Sequence, residues 1–216
     1  MKSQVLCVTR DALIEIGLPP LNQSHGIYNI HPKDIPWNEY HFINRKVCDC
    51  EGKVNPDFLK IGKLLPQILG YVTIIDENKK VLTYSRGKGA EVRLKKRSIG
   101  FGGHVDNTRF DVSYDSCGNP DYYQTLINSI DREIKEEIGL ILNHKNIRMF
   151  GLISDETSDE VGQVHLGWSL YLKINSKDTL DIDLSEISDP QWKTLDELKS
   201  EIHQYESWSQ LVINSL

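Results

Sequence analysis

Three glutamates crowd into the segment Arg132-Glu133-Ile134-Lys135-Glu136-Glu137-Ile138-Gly139-Leu140. Glu133 and Glu137 are spaced i,i+4 and Glu133 and Glu136 i,i+3, so on a helix all three project from one surface. Like charges at that spacing repel by roughly 0.2–0.5 kcal/mol per exposed pair. A glycine such as Gly139 commonly ends a helix, and the backbone dipole disfavours anions near that end. A hard divalent cation such as Mg2+ reverses both penalties. It takes carboxylate oxygens as ligands and can share phosphate oxygens with a substrate. A solvated acidic face, with Arg132 and Lys135 beside it, is the plain alternative.

The residues upstream set where that surface faces. Tyr123, Leu126, Ile127, Ile130, Ile134 and Ile138 recur at steps of three and four, which predicts an amphipathic helix. Asp121, after Pro120, can cap its start, and Gly139 supplies a left-handed residue to end it. Projected at about 100° per residue, Glu137 lies beside the apolar stripe and Glu133 a little further round. Two of the acids are therefore expected at the edge of a core. Arg132 lies on another side, where it could brace the acids or a neighbouring loop.

Length and charge narrow the classes. A chain of 216 residues has room for one full core plus an extension. A net charge of -6 argues against broad attraction to nucleic acid. No apolar run is long enough to span a bilayer, and Met1-Lys2-Ser3-Gln4 does not open a signal peptide. The expectation is a cytoplasmic protein with no membrane partner. Cys48 and Cys50 are separated by one residue and lack a second close pair, so thiols are expected there rather than a zinc site.

Residues 1–62 show little periodicity and break at Gly17-Leu18-Pro19-Pro20. They read as an extension that packs on the core or helps form a homodimer, with residues 63–216 as the main domain. Ile68 to Ile75 is a predicted strand, Asp76-Glu77-Asn78 a turn, and Val81 to Arg86 its hairpin partner. Ile147 to Ile153 is another strand. Val164 to Lys173 alternates apolar and polar residues, which predicts a strand with one buried face. Thr194 to Ile213 reads as helix in two parts. Strands before and after a central acidic helix make an α/β fold with a mixed sheet.

The acidic segment resembles the second half of the Nudix box, G-x5-E-x7-R-E-U-x-E-E-x-G-U with U apolar. It matches every defined position from Arg132 to Leu140. The first half departs from the pattern. Strict counting puts Gln124 at the first Glu and Gly118 at the leading Gly. Gly102-Gly103-His104-Val105-Asp106, after the strand-like Ser98-Ile99-Gly100-Phe101, is the better opening. Gly103 then begins the box, and an insertion lies between Asp106 and Tyr122. The first acid is lost, or relocated to Gln124 or Asp121. Lys96 to His104, Gly151 to Asp155, Val164 to Gly167, Trp192 to Leu198 and Glu206-Ser207-Trp208-Ser209 also resemble the family, in particular a bacterial and phage-type Nudix phosphoesterase branch.

That resemblance implies a Nudix-type α/β/α sandwich and Mg2+- or Mn2+-dependent cleavage of the diphosphate linkage in a nucleoside diphosphate joined to another group. It implies metal ligands at Glu133, Glu136, Glu137 and the Gly103 carbonyl, with Arg132 supporting the acids. The general base is expected to be a box glutamate, Glu133 or Glu136, or an acid from a later loop, where Asp155 and Glu156 are the candidates. Arg45, Gln67, Arg86, Arg97 and His104 are candidates for substrate contact. His165, on the polar face of its strand, is expected to make a structural hydrogen bond. The alternative is a catalytically weakened nucleotide-binding or regulatory module on the same fold, prompted by the lost first acid.

Overall fold

Runs of β-branched and aromatic residues become strands and the stepped apolar stripe becomes a long helix, which gives an α/β fold with a mixed sheet. The computed structural model describes residues 4–45, 63–86, 96–158, 162–175 and 178–216. Cys48, Cys50 and the rest of 46–62 lie outside the described residues. Among the described residues no helix is long and apolar enough to cross a membrane. The chain packs as two units, one of Met1–Gly70, Gly103–Ile130 and Gly151–Trp168, the other of Tyr71–Gly102, Asp131–Phe150 and Ser169–Leu216.

In the first unit, β1 (Gln4–Val8) pairs antiparallel with β3 (Tyr40–Asn44), from Gln4 opposite Asn44 to Val8 opposite Tyr40. Cys7 of β1 also faces Gln67, the first residue of β4 (Gln67–Ile75). The segment after the glycine pair runs beside both strands: Gly70 N–H donates to the Gly103 carbonyl at 2.9 Å and Leu6 N–H to Val105 at 2.8 Å. The short helix α1 (Arg10–Glu15) follows β1, and β2 (His25–Tyr28) pairs antiparallel with the end of β8 (Ile147–Asp155), His25 opposite Asp155. The N-terminal segment therefore contributes ladder strands, a role its weak periodicity did not announce.

The residues between Asp106 and the long helix hold themselves together. Tyr114 bridges Pro120, and the Asp115 carboxylate accepts the Cys117 and Asn119 N–H groups at 2.8 Å each. Asp111 is buried and accepts the Asp106 N–H at 3.0 Å.

In the second unit, β5 (Val81–Arg86) pairs antiparallel with β10 (Ile187–Lys193) on one side. It joins β4 through the predicted turn, where Ile75 faces Val81 and Lys80 N–H donates to the Asp76 carboxylate at 2.8 Å. The expected strand at Ser98 to Phe101 is split. β6 (Arg97–Ser98) pairs with β5 and β7 (Gly100–Phe101) with β4, so Ile99 is the pivot between two ladders. β9 (His165–Lys173) lies between β4 and β8. The two-part C-terminal helix is α3 (Leu195–Ser200), begun by a Thr194/Glu197 capping box, and α4 (Ser207–Ser215).

The long helix, α2 (Tyr122–Ile138), follows the expected stripe. Gln124 N–H donates to the Asp121 carboxylate at 2.9 Å, as a cap should. Leu126, Ile127 and Ile130 are buried in the first unit, and Ile134 and Ile138 in the second. Gly139, at φ +69°, ends the helix, as expected. Asp181 and Asp183 then donate their N–H groups to the carbonyls of Ile138 and Glu137, both at 2.9 Å. The last two helix carbonyls thus have partners. Ile134→Ala should destabilise the protein by about 2–5 kcal/mol in urea denaturation, because a fully buried methyl-bearing chain leaves a cavity. Lys135→Ala, one residue on but exposed, should stay within about 0.5 kcal/mol.

Candidate active site

Burial divides the three helix glutamates. Glu137 follows the apolar face into the second unit and is 7% exposed. Its Oε2 accepts the Gly102 N–H at 2.9 Å, which brings the helix end and the glycine turn together. Glu133 is half-buried and takes Arg132 Nη1 at 2.7 Å. Glu136 reaches the same Nη1 at 3.3 Å, and its side chain is 62% exposed. Arg132 therefore braces two of the three acids, and its charge offsets the i,i+3 repulsion between them.

Among the described residues no three His, Cys, Asp or Glu side chains are gathered closely enough to hold a metal ion by themselves. The donor chemistry nevertheless suits Mg2+ or Mn2+. Both prefer carboxylate oxygen, and Mg2+ is commonly held by one or two carboxylates while water and substrate phosphate supply the rest. Glu133 and Glu137 are the residues that would hold it, with Glu136 at the exposed rim. The Gly103 carbonyl already accepts the Gly70 N–H, which leaves it one further lone pair.

Of the candidates for substrate contact, Arg97 is the most fully engaged. Its guanidinium donates to the Asp189 carboxylate at 2.6 Å, the Asp189 carbonyl at 3.0 Å and Thr83 Oγ1 at 3.3 Å. It thereby fastens the irregularity in β10 between Ser188 and Gln191, where Asp189 adopts φ +49°. Arg86 ends β5 opposite Ile187.

Three other candidates gather in the first unit. Gln67 is fully buried, and neither its amide nitrogen nor its oxygen has a hydrogen-bond partner among the described residues. Leu69 forms a bridge with His104, so the strand period puts Gln67 and His104 on one face. The His104 ring lies 5.5 Å from the His165 ring, edge to face. Burial holds the His104 pKa well below its ordinary value, and the charges of His165 and of exposed Arg45 push it the same way. His104 is thus neutral around pH 7.

The two loop acids have acquired partners from far along the chain. Glu156 is buried in an ion pair with both guanidinium nitrogens of Arg10, one at 2.9 Å, and also accepts the Ser24 N–H at 3.4 Å. Asp155 is buried beside it, with Oδ1 at 2.7 Å from His25 Nδ1 and accepting Ser158 Oγ at 2.7 Å. The His25 side chain is half exposed. Neither Arg10 nor His25 was picked out from the sequence, because no local pattern marks a partner more than a hundred residues away.

Comparison with known proteins places this geometry. No family model matches the sequence. The chain is 30% identical over 154 residues to Protein YmaB of Bacillus subtilis (strain 168), covering 69% of this chain and 70% of YmaB. Across 98% of this chain and 97% of the other, its structure is similar to Tm1382, a candidate Nudix hydrolase, at a TM-score of 0.65 and 20% identity. The chain belongs to one family with YmaB, and its fold is that of the Nudix hydrolases. A bifunctional NMN adenylyltransferase/ADP ribose pyrophosphatase from Francisella tularensis is similar at a TM-score of 0.52 and 15% identity, over 70% of this chain and 40% of that one.

On this fold the Arg10–Glu156 pair is a structural fastening, and removing one partner strands a buried charge. Glu156→Gln and Arg10→Met should each lower stability by about 3–5 kcal/mol in chemical denaturation, while the double replacement should recover part of that loss.

Proposed function

We propose that the protein is a Mg2+- or Mn2+-dependent hydrolase that cleaves the diphosphate linkage of a nucleoside diphosphate joined to another group. The observation that carries this reading is Glu137, a buried carboxylate at the end of the R-E-x-x-E-E-x-G turn, fixed by the Gly102 N–H on a Nudix fold. The bound cation would neutralise phosphate charge and lower the pKa of the attacking water.

The chain's own contribution is placement. Gly102 fixes Glu137, and Arg132 orients Glu133 and Glu136. In the overall reaction water adds to one phosphorus, the bond from that phosphorus to the bridging oxygen breaks, and two phosphorylated products leave. Glu156 is consumed by Arg10, so Asp155, whose carboxylate faces the ring of His25, is the loop acid suited to proton transfer. Gln67, His104 and Arg45 would meet the substrate through hydrogen bonds and, at Arg45, positive charge.

A second reading is favoured by one observation. Arg132 already pairs with two of the acids, so the cluster is partly neutralised without a cation, as in a module that binds nucleotides without cleaving them. A panel of ADP-ribose, dinucleoside polyphosphates and NADH with Mg2+ or Mn2+ separates the two. The hydrolase should release a nucleoside monophosphate, and Glu137→Gln should cut turnover by orders of magnitude while the protein stays folded. Turnover absent across the panel despite metal binding favours the module.

A further inference from the structure

Glu206 begins α4 and does more than a cap requires. Its carboxylate accepts the Trp208 N–H at 2.8 Å and the Ser209 N–H at 2.9 Å, which is the capping function. The same carboxylate accepts the Ser209 hydroxyl, the Tyr71 hydroxyl at 2.7 Å and the Ser98 hydroxyl at 3.4 Å. Glu206 N–H also donates to the Arg97 carbonyl at 3.0 Å. Tyr71, Ser98 and Ser209 are all buried. Burial and the Glu206 charge push the Tyr71 phenol well above its ordinary pKa, so it stays a donor.

These bonds converge on residues 97–102. Ile99, the pivot between the β5 and β4 ladders, donates its N–H to Ser209 Oγ at 3.0 Å. Tyr71 Oη lies 2.8 Å from that same oxygen. The Tyr71 ring sits under Gly100, where an added Cβ would fall 2.0 Å from Cζ. Tyr84 holds the Gly100 carbonyl at 2.7 Å. Next along the chain, the Gly102 N–H meets Glu137. The direction of that N–H follows from how the preceding residues are held.

We propose that Glu206, Ser209 and Tyr71 form a latch that positions the glycine turn and, through the Gly102 N–H, the Glu137 carboxylate. These are positioning residues, and their relevance to turnover rests on the metal-hydrolase reading above. Serine is as good an N-cap as most residues but too short to span from the helix start to Tyr71 and Ser98. Glu206→Ser therefore separates latch from cap, and Tyr71→Phe removes only a hydroxyl.

The test is amide hydrogen exchange in the full chain, followed at Gly102 and, as a control for global opening, at Ile74. In both variants Gly102 should exchange at least about tenfold faster with Ile74 unchanged, and Mn2+ binding read by electron paramagnetic resonance should weaken about 10–100-fold. Gly102 exchange and Mn2+ affinity both at wild-type values in folded variants would overturn the latch, as would equal acceleration at Gly102 and Ile74. If wild-type protein binds no Mn2+ and hydrolyses nothing, the functional reading fails, while Gly102 exchange still decides whether the latch exists.

Discussion

A buried carboxylate at the C-terminal end of a helix is opposed twice, by loss of water and by the helix dipole. Glu137 endures both because the Gly102 N–H meets it. That contact ties the long helix to the turn between β7 and the box opening. The residues just before that turn are held as well, Gly100 against the Tyr71 ring and Ile99 by the Ser209 hydroxyl. Any account of this protein's chemistry starts from how firmly that turn is held.

The sequence made the scaffold of this site readable where forces act locally. Tyr123 to Ile138 repeats at helical spacing, and Asp121 and Gly139 bound the helix because capping and left-handed backbone are short-range requirements. The Val81 to Arg86 hairpin partner and the two-part C-terminal helix were legible for the same reason. β1, β2 and β3 were not, since their pairing depends on partners from elsewhere in the chain rather than on their own pattern.

Charged residues show the limit most clearly. Arg97 and Glu156 have the residue types that phosphate binding and proton transfer need, yet each is engaged by a distant partner. Asp189 holds Arg97 and Arg10 holds Glu156. Composition reveals that a charge exists, while the fold decides what neutralises it. Glu136 illustrates the converse. It fits the motif as well as Glu137 does, but a shift of one residue around the helix leaves it largely in water.

The Asp181 and Asp183 amides occupy the last carbonyls of the long helix. Helix C-termini ordinarily draw cations through those oxygens. Here the connection between β9 and β10 has stopped up that electronegative tip. The pull of those two oxygens on a positive ion is thereby weakened, and the negative charge at this end is concentrated in the Glu133, Glu136 and Glu137 side chains.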